Sequence, residues 1–149
     1  MNLSLMKIRS IFPHFNEQRI TAEDFWRAAR DAELIVRQVP LAVDGFYTIY
    51  RGKHVVLLNS RLKSVAWLRA ALHEFHHYMF DVPGTDGGYT FYRSGEFTDR
   101  REHRAEAFAV VGLMPWPELE RLRSADMYIS PWLTKLVKER LWVRREFGL

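Results

Sequence analysis

The sequence predicts an α+β fold in which a small antiparallel sheet precedes a helical body. Two short runs rich in β-branched and aromatic residues flank Gly52, which is typical of a hairpin. After residue 60, longer segments repeat their apolar residues at helical spacing. No linker, repeat or low-complexity segment divides the 149 residues, so we expect one domain spanning 1–149.

The composition is that of a folded globular protein. Hydrophobic residues make up 48% and charged residues 27%. The sequence contains no run of about eighteen apolar residues, so we expect no membrane span. The absence of cysteine excludes a thiol nucleophile, a disulfide framework and a Cys-based metal site. The net charge of +4 comes from dispersed cations, so we expect no direct contact with nucleic acid. Nothing near Met1 resembles a secretion signal, and a soluble, cytoplasmic protein is expected.

The first half predicts one helix and then the hairpin. The helix begins at Thr21, a good N-cap with Asp24 in the first turn, and its apolar spacing continues to Val36. The two strands are predicted at 46–50 and 54–58, joined by a short loop that contains Gly52.

The second half predicts several helices whose ends are marked by capping or helix-breaking residues. The first of them has one apolar face, and glycines and prolines open a loop after it. The last is predicted to begin with an N-cap serine and a proline and to end before a glycine. The predicted helices are Ser64 to about Phe80, Asp99 to Leu113, Glu118 to Arg123, and Ser130 to Gly148.

The pattern H-E-x-x-H lies inside the first of these helices, at His73, Glu74 and His77. Residues four apart share one face of a helix, so both imidazoles can bind one metal ion. Imidazole suits zinc, which in catalytic sites keeps an open position for a water that it acidifies. The adjacent Glu74 has the position of the general base in this motif. These residues predict one Zn²⁺ per chain, although the ligand types also admit Mn²⁺ or another divalent ion.

The next helix carries the candidates for the third ligand. Glu102 and Glu106 are four residues apart, and we assign Glu102 as the ligand and Glu106 as a carboxylate that orients a histidine through its unused ring nitrogen. An alternative role for Glu102 is a helix capping box with Asp99, and the choice between the two glutamates as the third ligand also stays open. In the loop between the helices, Tyr89 and Tyr92 are candidates for stabilising an oxyanion, or for closing the loop over the core.

These residues resemble the ImmA/IrrE family of metallopeptidases. The resemblance rests on the run from Arg69 to His77, on Glu102 to Ala109 leading into Gly112 to Pro115, and on the closing segment, and it spans roughly Val39 to the end. Two positions depart from the family pattern. Arg104 replaces a frequent glutamate, and Glu106 stands where asparagine is usual.

The resemblance implies a gluzincin-like fold with zinc on His73, His77 and Glu102. It also implies an endopeptidase that cleaves a separately encoded helix-turn-helix repressor, with roles in stress response and transcription regulation. An edge of the hairpin around His54 to Leu58 is our candidate for holding the extended substrate. The alternative is a non-catalytic metal-binding module that binds a repressor or senses metal. The sequence leaves the oligomeric state, the cleavage position and the activating signal open.

Overall fold

The computed structural model describes residues 2–81, 89–92, 100–124 and 129–149, with the backbone alone for 89–92. The predicted α+β class is confirmed within these residues. The elements in chain order are α1 (Leu5–Ile11), α2 (Ala22–Asp31), β1 (Ile35–Val39), β2 (Gly45–Tyr50), β3 (Lys53–Asn59), α3 (Ser64–Phe80), β4 (Tyr89–Tyr92), α4 (Arg100–Leu113), α5 (Trp116–Ser124) and α6 (Pro131–Phe147).

The predicted hairpin is formed by β2 and β3. Tyr50 pairs with Lys53, so the connection has only two residues rather than the three expected. Both of them, Arg51 and Gly52, have positive φ, at 50° and 75°. This conformation matches the twist of the two strands and allows the tight turn.

The rest of the sheet was not predicted. The strand order is β1-β3-β2-β4, with β1 parallel to β3 and β4 antiparallel to β2. The sheet is therefore mixed: the predicted antiparallel hairpin is present, and β1 adds a parallel strand that the sequence did not predict. The expectation that residues 54–58 form an edge was wrong, because β3 pairs on both sides. Within the described residues, the edge strands are β1 and β4.

The helix predicted from Thr21 to Val36 ends earlier than expected. Its start is confirmed, since Thr21 and Asp24 form a reciprocal capping box. The helix stops at Asp31, and Glu33 turns the chain with φ 55°. The β-branched Ile35 and Val36 then enter β1, because such side chains pack better on a pleated sheet than in a helix.

Helix α3 is the central element of the described structure. It packs against β2, β3 and β4 on one side and against α4 on another, and α4 packs in turn on α6. The predicted apolar face of α3 is confirmed. Its members Leu68, Leu72, Phe75 and Met79 are buried, and Val65 is half-buried.

One cation of α6 lies inside the protein. Arg140 is fully buried, although arginine is mostly exposed in folded proteins. Its guanidinium donates to the carbonyl oxygens of Met114 and Leu149, each at 2.7 Å, and to Asn16 Oδ1 at 2.8 Å. These bonds satisfy the buried donors and tie α6 to the end of α4.

Candidate metal centre

Four polar residues follow one another along a single face of α3. Arg69, His73, His77 and Asp81 are spaced four apart, so the helix places them in a row. Both histidines are fully buried, and their Nε2 atoms lie 3.1 Å apart. The two imidazoles therefore present the same ring nitrogen to one point.

Glu102, in the first turn of α4, completes a group around that point. One of its carboxylate oxygens lies 3.0 Å from His73 Nε2, and the other lies 3.0 Å from His77 Nε2. One donor atom from each of the three residues falls within 4.8 Å of the others. Two imidazole nitrogens and a carboxylate form the three-ligand donor set typical of catalytic zinc sites, so these residues fit a divalent metal ion.

The electrostatics of the group favour ionised glutamate. Burial alone would raise the pKa of Glu102, but hydrogen bonds from His73 and His77 outweigh it and lower the pKa to about 2. Burial dominates at His73 and lowers its pKa to about 4. At His77, burial is outweighed by hydrogen bonds to Asp81 and Glu102, and the pKa rises to about 9. A half-buried carboxylate that stays charged is the kind of ligand that a divalent cation requires.

Glu106 contacts the opposite side of the His73 ring. Its Oε2 lies 3.1 Å from His73 Nδ1, the nitrogen that faces away from Glu102. The side chain is only 3% exposed, and Arg69 donates a hydrogen bond to its other oxygen. Arg69 also donates to Glu139 of α6 at 2.7 Å. This geometry is the one expected of a carboxylate that orients a ligand rather than one that binds the metal.

Asp81 makes the corresponding contact to the second histidine. Its Oδ2 lies 3.0 Å from His77 Nδ1, at the residue that follows the last turn of α3. Neither Asp81 nor Arg69 was among the residues predicted for the site. The signal was available, because each lies four residues from a histidine of the motif, on the face that carries the metal ligands.

Glu74 is fully buried and lies against the backbone of β2 at Gly45. It is also near enough to His77 for its charge to favour the protonated form of that imidazole. The candidate base therefore lies beside the metal group and is shielded from solvent by the sheet.

The remaining candidates, Tyr89 and Tyr92, cannot be assigned a role from the geometry. Their backbones form β4, which pairs with β2 at Thr48 and Gly45, but their side chains lie outside the described residues. A role for either in stabilising an oxyanion stays a prediction.

Two histidines four residues apart on a helix, in the pattern H-E-x-x-H, are the motif of the zincin-like metallopeptidases. The chain belongs to one family of that class, peptidase family M78, because the model of the IrrE N-terminal-like domain matches residues 7–147. The resemblance drawn from the motifs is thereby confirmed. No curated protein and no solved structure matches the chain significantly.

Membership of a peptidase family implies a protein substrate. Among the described residues, no helix is both long and apolar enough to cross a membrane.

Proposed function

We propose that the chain is a zinc-dependent endopeptidase that forms a single catalytic domain. The observation that carries the proposal is the convergence of His73, His77 and Glu102 on one point beside the buried carboxylate of Glu74. The family match supports hydrolysis of peptide bonds, and two imidazoles with one carboxylate form a donor set that zinc takes in catalytic sites.

In this proposal, a bound metal ion supplies Lewis acidity that lowers the pKa of water and polarises the scissile carbonyl. Glu74 accepts the proton of the attacking water and passes it to the leaving amine. Its burial against β2 keeps the carboxylate oriented and excludes competing solvent. Glu106 and Asp81 accept hydrogen bonds from the outer nitrogens of the two histidines, which holds Nε2 of each ring toward the metal.

The substrate segment is proposed to bind along β4 as an added strand. Among the described strands, β4 pairs on one side only, and its partner β2 is the strand that touches Glu74. An extended peptide beside β4 would gain main-chain hydrogen bonds close to the metal group. N-methylation of a cleaved peptide at alternate residues is expected to weaken its binding, and unchanged binding would refute this placement.

We propose a separately encoded helix-turn-helix repressor as the physiological substrate, in the cytoplasm, with cleavage relieving repression under stress. The support is the family to which the chain belongs, together with the motifs quoted above.

Glu74→Gln tests the activity. The amide has the same shape but cannot accept the proton, so we expect cleavage of an unfolded substrate such as casein, and of candidate repressors, to fall by at least about 10²-fold. Metal content is expected to stay unchanged, since Glu74 is outside the ligand group. If wild type and Glu74→Gln both bind a repressor without cleaving it, the non-catalytic module is the better account.

A further inference from the structure

The side chain of the candidate base lies beside the backbone of a strand. Gly45 is the first residue of β2 and is buried. A methyl carbon added there would lie 2.9 Å from Cγ of Glu74, 3.1 Å from its Oε1 and 3.4 Å from its Cδ. Separations near 3 Å are shorter than carbon atoms tolerate, so any side chain at this position would displace Glu74 or the strand.

The strand cannot move away easily. Gly45 is paired with Leu58 of β3 on one side and with Tyr92 of β4 on the other, so β2 is held in both hydrogen-bonding directions at this residue. The backbone of α3 cannot retreat either, because Leu72 and Phe75 beside Glu74 are fully buried. The Glu74 side chain is therefore the part that would shift.

The requirement for glycine does not come from the backbone conformation. The φ of Gly45 lies outside the positive range that disfavours other residues, in contrast to Gly52 and Gly148 at 75° and 72°. An alanine is compatible with the conformation of β2, and the three atoms nearest to the added carbon all belong to Glu74.

We propose that Gly45 is a positioning residue for Glu74. Its missing side chain lets the carboxylate rest against β2, and this contact sets the distance of the base from the metal group. The catalytic consequence rests on the proposed peptidase activity, whereas the structural coupling between Gly45 and Glu74 does not.

A double-mutant cycle tests the coupling without any substrate. Gly45→Ala, Glu74→Ala and the double variant are made in the full chain, and their Tm values are compared after purification with zinc. Gly45→Ala is expected to lower Tm by several degrees in the wild-type background, roughly 3–10 °C for an overpacked site in a chain of this size. In the Glu74→Ala background the added methyl has room, and we expect less than half of that loss.

Gly112→Ala is the matched control. A methyl carbon at Gly112 would be 3.0 Å from Cδ1 of both Ile20 and Leu72, so it also crowds the interior, but against side chains that do not belong to the metal group. Its effect on Tm is expected to be the same with and without Glu74. Equal losses for Gly45→Ala in both backgrounds would overturn the proposal. If Gly45→Ala alone does not fold, folding of the double variant supports it and failure of the double variant refutes it.

Activity gives the second readout. Gly45→Ala is expected to lower kcat by on the order of 10²-fold, the contribution of a well-placed base, with KM and zinc content nearly unchanged. Gly112→Ala is expected to leave kcat within about twofold of wild type at a temperature where both are folded. A Gly45→Ala enzyme with wild-type kcat would refute the positioning role. If wild type itself cleaves nothing, the peptidase proposal fails, and the Tm cycle still decides the coupling.

Discussion

The two histidines of the metal group are supported in different ways. The outer nitrogen of His73 meets Glu106, which comes from another helix and is bonded in turn to Arg69. The outer nitrogen of His77 meets Asp81, which comes from the end of the same helix. The first support connects α3, α4 and α6, because Arg69 also bonds Glu139, whereas the second is local to α3.

The difference leaves one candidate ligand more firmly held than the other. The side chain of Glu106 is 3% exposed, so its charge is stabilised by protein partners rather than by water. The side chain of Asp81 is 13% exposed. Buried, fully bonded networks are rigid, and they are costly to disrupt. We therefore expect the His73 side to determine the stability of the site and to contribute more to its affinity for metal than the His77 side does.

The largest effect is expected from Arg69→Met. The change leaves the buried carboxylate of Glu106 without its cationic partner, and breaking a buried pair in this way costs about 3–5 kcal/mol. The free energy of unfolding is measured by urea denaturation. The control is Arg19→Met, which removes the more exposed pair with Glu118 and is expected to cost no more than about 1 kcal/mol. Equal costs for the two variants would contradict the central role of the Arg69 network.

Glu106→Gln is expected to have the next largest effect, on zinc affinity. The amide keeps the shape but removes the negative charge that strengthens His73 as a ligand, and no water can replace it at this buried position. Affinity should fall by about 100-fold, the upper part of the range for such partners, as measured by competition with a chromophoric chelator. An affinity within twofold of wild type would show that Glu106 does not act through His73.

Asp81→Asn tests the support of the second histidine, His77. We expect a loss of about 10-fold in zinc affinity, at the lower end of the same range, since water can reach this more exposed contact. The free energy of unfolding of the metal-free protein should change little. The asymmetry between the two supports is refuted if Asp81→Asn weakens zinc binding more than Glu106→Gln does.

Glu139→Gln is expected to have the smallest effect. Its side chain is 26% exposed, and Arg69 keeps its bond to Glu106 when this partner loses its charge. The cost to the free energy of unfolding should be about 1 kcal/mol or less, again by urea denaturation. A cost as large as that of Arg69→Met would show that Arg69 stabilises the protein mainly through Glu139 rather than through Glu106.

Much of the site was accessible from the sequence because it depends on local spacing. A helix fixes the relation between residues three or four apart, so His73 and His77 could be placed on a common face before any tertiary contact was known. The bounds of α3 and α6 followed from the same periodicity and from terminal residues such as Pro131 and Gly148. The two glutamates of α4 were found because they repeat that spacing.

The parts that were missed depend on distant pairing or on weak local signals. β1 is held in the sheet by its parallel pairing with β3. Because β2 lies between these two strands along the chain, the apolar pattern of β1 alone does not reveal the pairing. α1 has seven residues and buries only Ile8 completely, so its apolar pattern is too short to be recognised. The close approach of Gly45 to Glu74 needs the relative position of a strand and a helix, which no spacing along the chain provides.

The most direct test of the central claim is the metal content of the purified protein, measured by mass spectrometry with and without supplied zinc. His77→Ala, Glu102→Ala and Glu106→Ala are compared with wild type. The account predicts about one zinc per chain in wild type, lost in His77→Ala and Glu102→Ala and retained in Glu106→Ala under saturating zinc. Loss in Glu106→Ala with retention in Glu102→Ala would exchange the roles of the two glutamates. A wild-type protein that takes up no divalent metal even when zinc is supplied would contradict the metal centre and the peptidase built on it.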